Sequence, residues 1–174
     1  MLGRKEAVTM KGQPLTLVGR GIKVGDLAPD AVLAANDLSE VELSSYRNKV
    51  CVIYSVPSLD TSVCDESARR FNEEAAELSD DVVVIVVSCD LPFAQKRWCG
   101  AAGIENVITL SDHRNTSFGA AYGVLIKELR LLTRAVFIVG KDGIIRYEEV
   151  VPEIADKPDF EKVKAELKSM LAPA

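Results

Sequence analysis

Three short stretches of this chain are almost continuously apolar, at residues 49–56, 82–88 and 134–139. Such stretches are typical of central β-strands that are covered on both faces of a sheet. A further strand is predicted at residues 144–150, and the Gly-Lys-Asp-Gly turn at 140–143 predicts that it forms an antiparallel hairpin with the third stretch. Apolar residues at helical spacing over residues 62–79 predict a helix between the first two stretches. A strand-helix-strand unit and a terminal hairpin together indicate an α/β fold with a mixed central sheet.

Weaker patterns add further elements to this sheet. Additional strands are predicted near residues 31–34, 41–43 and 107–110, and additional helices over residues 93–101, 115–122 and 159–171. Asp90 and Pro92 are suited to begin the first of these helices, and Gly100 and Gly103 to end it. These helices would lie on both sides of the sheet.

The N-terminal residues form a separate small feature. Residues 8–18 contain two alternating apolar stretches around Gly12, which predicts a β-hairpin. No linker and no internal repeat interrupts the 174 residues, a length that suits one core. We therefore expect a single domain spanning residues 1–174.

Composition and charge exclude several classes of partner. Lys and Arg number 21 against 26 Asp and Glu, giving a formal net charge of −5, and no basic cluster is present to bind phosphates. We therefore expect no nucleic-acid partner. The longest aliphatic run, at residues 82–87, is far shorter than the roughly 20 residues of a membrane-spanning helix. We therefore expect no membrane-spanning segment. The first residues also lack the apolar stretch of a signal peptide, so we expect a cytoplasmic protein.

The four cysteines restrict the chemistry that the chain can perform. They are Cys51, Cys64, Cys89 and Cys99. No two of them form a Cys-x-x-Cys pair, which argues against the dithiol motif of thioredoxin-type exchangers and against structural zinc sites. We expect neither a metal nor a cofactor. Cys51 and Cys89 lie in or at the end of apolar strands, where a buried thiol that serves packing is the ordinary interpretation.

Cys64 occupies a different position. It falls in the first turn of the helix predicted at 62–79, which Thr61 or Ser62 would cap. Free backbone N–H groups and the positive end of the helix dipole favour the thiolate there. Asp65 and Glu66 oppose ionisation, so position alone leaves a packing role equally open. Taken alone, Cys99 indicates partly buried packing.

Three segments carry a resemblance to a known family. They are Pro-Ser-Leu-Asp-Thr-Ser-Val-Cys at 57–64, Asp-Leu-Pro-Phe-Ala-Gln-Lys-Arg-Trp-Cys-Gly at 90–100, and Arg-Ala-Val-Phe at 134–137. Together they resemble the bacterial thiol peroxidases, which are atypical 2-Cys peroxiredoxins. The resemblance runs from the N-terminal hairpin through Ser-Asp-His-Arg at 111–114 to the last helix, covering nearly the whole chain.

The resemblance implies a fold, a reaction and partners. It implies a thioredoxin-like fold with an added N-terminal β-hairpin, a homodimer, and reduction of hydrogen peroxide and organic hydroperoxides with electrons from thioredoxin. The family pattern Pro-x-x-x-Thr-x-x-Cys falls on Pro57, Thr61 and Cys64, with Cys64 as the peroxidatic cysteine. The family's distant arginine falls on Arg134, and its resolving cysteine, which forms an intramolecular disulfide, on Cys99.

The chemistry explains these residue types. Attack of a thiolate on an O–O bond needs a deprotonated sulfur, donors that hold both oxygens in line, and a positive charge near the leaving oxygen. Thr61 and the helix N–H groups would donate, Arg134 would supply the charge, and Pro57 would form a rigid wall without a competing N–H. Without the resemblance, Thr61 would be interpreted as a simple helix cap and Arg134 as a surface charge at a strand end.

Two other functions stay open at the level of sequence. A thioredoxin-fold redox sensor would use the same pair, Cys64 and Cys99, without turnover. A cysteine hydrolase would need a base, and the only histidine, His113, lies in a polar turn typical of a surface position. Because a disulfide needs Cα atoms about 4.4–6.8 Å apart, we expect the helix ends around Cys64 and around residues 98–100 to unwind on oxidation.

Overall fold

The computed structural model describes residues 2–75 and 77–172. The strands are β1 Gly3–Met10, β2 Gln13–Val18, β3 Val32–Ala34, β4 Glu40–Glu42, β5 Val50–Ser55, β6 Val82–Ser88, β7 Ile108–Ser111, β8 Leu125–Ile126, β9 Ala135–Val139 and β10 Ile145–Val150. The α-helices are α1 Ser62–Ala75, α2 Pro92–Ala102, α3 Ser117–Ala121 and α4 Phe160–Leu171, and a short 3₁₀ helix covers Leu43–Tyr46.

The apolar stretches form the centre of a seven-stranded mixed sheet in the order β10-β9-β5-β6-β7-β3-β4. β5 pairs in parallel with β6, and β6 with β7, while β9 runs antiparallel to both β5 and β10. The predicted mixed sheet, with its strand-helix-strand unit and terminal hairpin, is confirmed. β5 and β6 are central because they are apolar on both faces, which leaves them no stable place at a sheet edge.

Helices cover both faces of this sheet, as predicted. On one face, Tyr54 of β5 packs against Phe71 of α1 with ring centroids 4.9 Å apart, and Phe71 packs against Phe160 of α4 at 5.0 Å. On the other face, Phe118 and Tyr122 stack with centroids 4.5 Å apart at the end of α3. Alternate residues of β5 enter the two cores, because successive side chains of a strand point to opposite faces.

The predicted N-terminal hairpin is present and longer than expected. β1 and β2 pair antiparallel around Lys11 and Gly12, both with positive φ, which matches the strand twist of a two-residue hairpin turn. β2 also pairs with β8, forming a three-stranded sheet. β8 was not predicted because a strand of two residues leaves no periodic signal in the sequence.

Some helix ends differ from the sequence prediction. Gly100 lies inside α2 rather than ending it, because one glycine in a helix costs only about 1 kcal/mol. Gly103 ends the helix in the left-handed conformation, at φ 65°. The N-cap position of α2 is Leu91, so Asp90 does not cap it. Helix α1 is described to Ala75 instead of residue 79, and residue 76 lies outside the described part of the chain. Among the described residues, no helix has the length and apolarity needed to cross a membrane.

Candidate active site

Cys64 lies at the carboxyl edge of the central sheet, where β5 leads through a short loop into α1. The backbone N–H of Cys64 donates to the Thr61 hydroxyl oxygen at 3.4 Å, so Thr61 caps the helix as the sequence predicted. The Cys64 side chain is fully buried. Its sulfur therefore sits in the first turn of a helix, next to N–H groups that have no partner within the helix.

Arg134 reaches the same place from β9. The antiparallel register pairs Ser55 at the end of β5 with Ala135 at the start of β9, which puts Arg134 at the edge where the Cys64 loop begins. Arg134 is 2% exposed. Its Nη1 donates to the Tyr54 hydroxyl at 2.7 Å, and its Nε donates to the Ile154 carbonyl at 3.0 Å. The guanidinium is thus a buried group held on two sides.

The electrostatics of this arrangement keep Arg134 charged. Burial alone would lower the pKa of Arg134, but the neighbouring Tyr54 hydroxyl and Cys64 sulfur raise it above its ordinary value. Burial raises the pKa of Tyr54, against the opposing effect of Arg134, so the phenol stays neutral. The Nη1 and Nε bonds of Arg134 both go to neutral oxygens. These partners leave its positive charge available to an anion at the sulfur.

Thr61 and Pro57 belong to the loop between β5 and α1. The Thr61 hydroxyl donates to the Ser58 carbonyl at 3.1 Å while it accepts from Cys64, so the loop and the helix start are joined through one side chain. Pro57 is buried two residues after β5 ends. The structure thus brings Thr61 and Arg134 to Cys64, whereas a contact of Pro57 with the sulfur stays a prediction.

Cys99 lies on α2 and has different neighbours. Its sulfur is 3.5 Å from the Thr109 hydroxyl on β7, and Thr109 in turn donates to the Asn36 side chain at 3.1 Å. Cys64 and Cys99 are both free thiols. Cys99 is partly exposed while Cys64 is fully buried. The two predicted redox partners are therefore unbonded thiols in this structure.

A contact between the two helices joins the immediate neighbours of these cysteines. Trp98 donates from its indole N–H to the Asp65 carboxylate at 2.6 Å, and Arg69 pairs with the same carboxylate at 2.9 Å. Burial raises the pKa of Asp65, but the hydrogen bonds from Arg69 and Trp98 together lower it by more. The pKa of Asp65 therefore lies below its ordinary value. Asp65 is therefore ionised at neutral pH. Its bond to Trp98 ties the first turn of α1 to α2.

The remaining cysteines have the packing environment that the sequence predicted. Burial raises the pKa of Cys51 to about 11. Burial, followed by the nearby carboxylates of Asp112 and Asp90, raises the pKa of Cys89 to about 12. Both thiols are thus protonated at neutral pH and poor nucleophiles.

The polar turn at residues 111–114 has structural contacts. Asp112 accepts from the backbone N–H groups of Phe118 and Gly119 at 3.1 and 2.8 Å, and burial raises its pKa to about 6. The ring nitrogen Nδ1 of His113 lies 2.9 Å from the Ser111 hydroxyl. The described contacts of His113 thus include no cysteine, which removes support for the hydrolase alternative.

Sequence reasoning missed two partners of Arg134. Tyr54 carries the one hydroxyl-bearing ring in β5, and a buried phenol needs a hydrogen-bond partner, so this signal was available. The Ile154 carbonyl gave no signal, because backbone oxygens are the same at every position. Its role depends on how the chain after β10 folds back.

Comparison with known proteins agrees with this geometry. A family model described as Redoxin matches residues 23–167. A thiol peroxidase of Halalkalibacterium halodurans is 54% identical over 165 residues, covering 95% of this chain and 99% of the relative. The thiol peroxidase of Bacillus subtilis is 56% identical over 155 residues, covering 89% of this chain and 92% of the relative. The chain belongs to the thiol peroxidases of the redoxin family.

Structural comparison extends the same result. A peroxiredoxin-like protein from Aquifex aeolicus superposes with a TM-score of 0.90 at 45% identity, covering 95% of this chain and 98% of that protein. The thioredoxin-like fold expected from the resemblance is confirmed, and so is the class of enzyme, a peroxiredoxin-type peroxidase. The residue range that matches the redoxin model begins after the N-terminal hairpin, whereas the Halalkalibacterium relative covers nearly the whole chain.

Proposed function

We propose that this enzyme reduces hydrogen peroxide and organic hydroperoxides through the Cys64 thiolate, with Cys99 as the resolving thiol and thioredoxin as the electron donor. The observation that carries the proposal is the position of Arg134. It is a buried cation beside Cys64, bonded in the described chain to neutral oxygens, at the N-terminus of α1. An uncompensated buried charge is costly, so its presence beside a thiol favours an anionic sulfur.

In the first step, the Cys64 thiolate attacks the terminal peroxide oxygen. The S–O bond forms as the O–O bond breaks, and the leaving oxygen takes a proton to become water or an alcohol. Arg134 stabilises the negative charge on that oxygen. The Thr61 hydroxyl donates to Ser58 in the absence of substrate and becomes a donor to peroxide by rotation about one bond. Cys64 is left as a sulfenic acid.

In the second step, the Cys99 thiol attacks the Cys64 sulfur. The S–S bond forms and water leaves, so one intramolecular disulfide holds the two oxidising equivalents. Cys64 is buried in the first turn of α1, and Cys99 contacts Thr109, so we expect both helix segments to move before this bond forms. A thioredoxin dithiol then reduces the disulfide by exchange and becomes oxidised itself.

The assembly and the location of the enzyme are part of the same proposal. We place a single-domain homodimer in the cytoplasm, as the family resemblance implies. Leu91 and Phe93, at the start of α2, are 53% and 65% exposed, and apolar side chains next to the site loop support a contact between subunits there. The second candidate function, a redox sensor with the same cysteine pair, would oxidise once per molecule without turnover.

The proposal predicts that Cys64 is the only thiol that attacks peroxide. Cys64→Ser should abolish peroxide consumption in the presence of thioredoxin and its reductase, while Cys51→Ser and Cys89→Ser should retain it. Cys99→Ser should consume one equivalent, stop at the sulfenic acid and oxidise further with excess peroxide. Mass mapping after one equivalent of peroxide should find a Cys64–Cys99 disulfide within one subunit of the wild-type enzyme.

The outcomes separate the candidates. Sustained turnover by Cys64→Ser, or by Cys99→Ser with thioredoxin, would contradict the assigned roles. Oxidation that ends after one equivalent in the wild-type enzyme, with functional thioredoxin and reductase present, would favour the sensor. A disulfide that links two subunits would contradict intramolecular resolution.

A further inference from the structure

Asp90 joins the loop that carries the active site to the end of β6. Its carboxylate accepts hydrogen bonds from the Ser58 hydroxyl at 2.7 Å and from the Leu59 backbone N–H at 2.8 Å. It also accepts from the Ser88 hydroxyl at 2.7 Å. Because β5 and β6 are parallel, their carboxyl ends meet at one edge of the sheet, and Asp90 bridges the two segments that leave it.

The contacts continue from Ser58 to the nucleophile. The Ser58 carbonyl accepts from the Thr61 hydroxyl at 3.1 Å and from the Thr61 backbone N–H at 3.3 Å. The Thr61 hydroxyl accepts from the Cys64 N–H at 3.4 Å. An unbroken series of hydrogen bonds therefore runs from Asp90 through Ser58 and Thr61 to the first turn of α1.

Asp90 itself is anchored on its other side. The Ser88 hydroxyl accepts from the Gln95 side chain at 3.0 Å, and the same amide nitrogen donates to the Leu110 carbonyl at 2.9 Å. The Asp90 backbone carbonyl accepts from the Ser111 hydroxyl. Ser88, Gln95 and Ser111 are buried. The Asp90 carboxylate is thus fixed by buried residues of β6, α2 and β7, whereas the loop that it binds is partly exposed.

We propose that Asp90 is a positioning residue for peroxide reduction. It acts through Ser58 and Leu59 to fix the loop at residues 57–61, and so keeps the Thr61 hydroxyl and the Cys64 N–H aligned for the peroxide. Asp90 makes no described hydrogen bond to Cys64. The inference rests on the proposed role of Cys64. It gives a function to Asp90, which the sequence pattern predicts at a helix start but which does not cap α2.

Positioning and simple stability have different consequences for reactivity. Peroxide attack needs the donors and the sulfur in line with the O–O bond, whereas alkylation by iodoacetamide needs only an accessible thiolate. Asp90→Asn replaces one acceptor oxygen with an N–H₂ group that cannot accept from its former donor. We expect the second-order rate of Cys64 oxidation by hydrogen peroxide to fall about tenfold, with alkylation changed by less than about twofold.

The experiment compares both rates across a small set of variants. Ser58→Ala removes the link from the loop side and should reproduce the effect of Asp90→Asn, and the double variant should be no slower than either single variant. Ser58→Thr, which keeps the hydroxyl, should recover most of the peroxide rate. Asp60→Asn removes an exposed carboxylate from the same loop and is the matched control.

Each result has a defined meaning. Parallel loss of both rates, independent effects in the double variant, or an Asp90→Asn variant that matches Asp60→Asn would overturn the proposal. Thermal unfolding monitored by circular dichroism reports whether each variant folds. If Asp90→Asn does not fold, the comparison of Ser58→Ala with Ser58→Thr tests the proposal instead. Mass spectrometry of the wild-type protein shows which cysteine is oxidised. Oxidation elsewhere would overturn the proposed function itself and is distinguishable from a failure of Asp90.

Discussion

Arg134 shows how a single residue can be both buried and chemically available. A buried charge is normally paired with an opposite charge, because leaving water is costly. Here Nη1 and Nε of the guanidinium donate to the Tyr54 hydroxyl and the Ile154 carbonyl, two neutral oxygens that accept hydrogen bonds without neutralising the charge. The positive charge is therefore held beside Cys64 before any substrate arrives. This preorganisation is the usual source of electrostatic catalysis in enzymes.

Arg134→Met should separate this electrostatic role from packing. The substitution keeps a long apolar side chain but removes the charge, so the pH profile of Cys64 alkylation should move to higher pH. The rate of peroxide reduction should fall by about 10²-fold, as for loss of one stabilising donor. Arg134→Lys should recover part of the shift. An alkylation profile and a peroxide rate equal to those of the wild type would make Arg134 a bystander, while stability should change little in thermal melts.

At the scale of elements, the first turn of α1 and the second half of α2 are joined by a side-chain hydrogen bond, which we expect to break before the predicted disulfide forms. Trp98 donates a hydrogen bond to Asp65, and these two residues directly adjoin Cys99 and Cys64 in the chain. A helix end breaks few hydrogen bonds when it opens, so this region is suited to local unfolding. We therefore expect the Asp65–Trp98 bond to slow disulfide formation but not peroxide attack.

Trp98→Phe should therefore accelerate only the second step. A hydrogen bond to a charged group is worth about 1.5–3 kcal/mol, so disulfide formation should become about tenfold faster at an unchanged rate of sulfenic acid formation. Quenched-flow mass spectrometry measures both steps without the lost fluorophore. Arg69→Met removes an exposed ion pair to the same carboxylate and should have a small effect. Slower or unchanged resolution in Trp98→Phe would contradict the barrier.

At the scale of the whole molecule, the N-terminal hairpin supports the segment that holds Arg134. The Glu153 carboxylate accepts from the Thr9 hydroxyl at 2.7 Å and from the backbone N–H groups of Lys11 and Gly12 at 3.0 and 3.2 Å. The next residue, Ile154, donates to the Thr9 carbonyl at 2.9 Å and accepts from Arg134 through its own carbonyl. The hairpin therefore connects to the active site through two adjacent residues.

The sequence could predict what depends on local pattern. The apolar stretches predicted the central strands, and the pattern placed Cys64 in a first turn capped by Thr61 or Ser62, of which Thr61 is the cap in the structure. Local pattern alone could not place Arg134 at the site, which only the family resemblance indicated, because its position follows from the register of β5 with β9. The partners Asp90 and Ser58 are 32 residues apart and meet only because β5 and β6 are parallel. Contacts that depend on register carry no local signal.

Glu153→Gln should test the link between the hairpin and the active site. The hydrogen bond from Thr9, followed by that from the Gly12 N–H, lowers the pKa of Glu153 from 4.5 to about 2. Because the folded-state pKa is depressed, the carboxylate contributes stability that is complete above pH 4.5 and is lost as the pH falls towards 2. The difference in melting temperature between wild type and Glu153→Gln should therefore be constant from pH 7 to about 5 and shrink below that.

The same variant should slow peroxide reduction at neutral pH by about two- to fivefold, because a looser segment at residues 151–155 holds Arg134 less firmly. Glu128→Gln is the matched control, since Glu128 also accepts from the hairpin, at the Thr16 N–H, but does not adjoin Ile154. Hydrogen exchange should become faster in residues 3–18 of both variants, whereas the peroxide rate should fall only in Glu153→Gln. Equal peroxide rates in the two variants would show that the hairpin stabilises the fold without positioning Arg134.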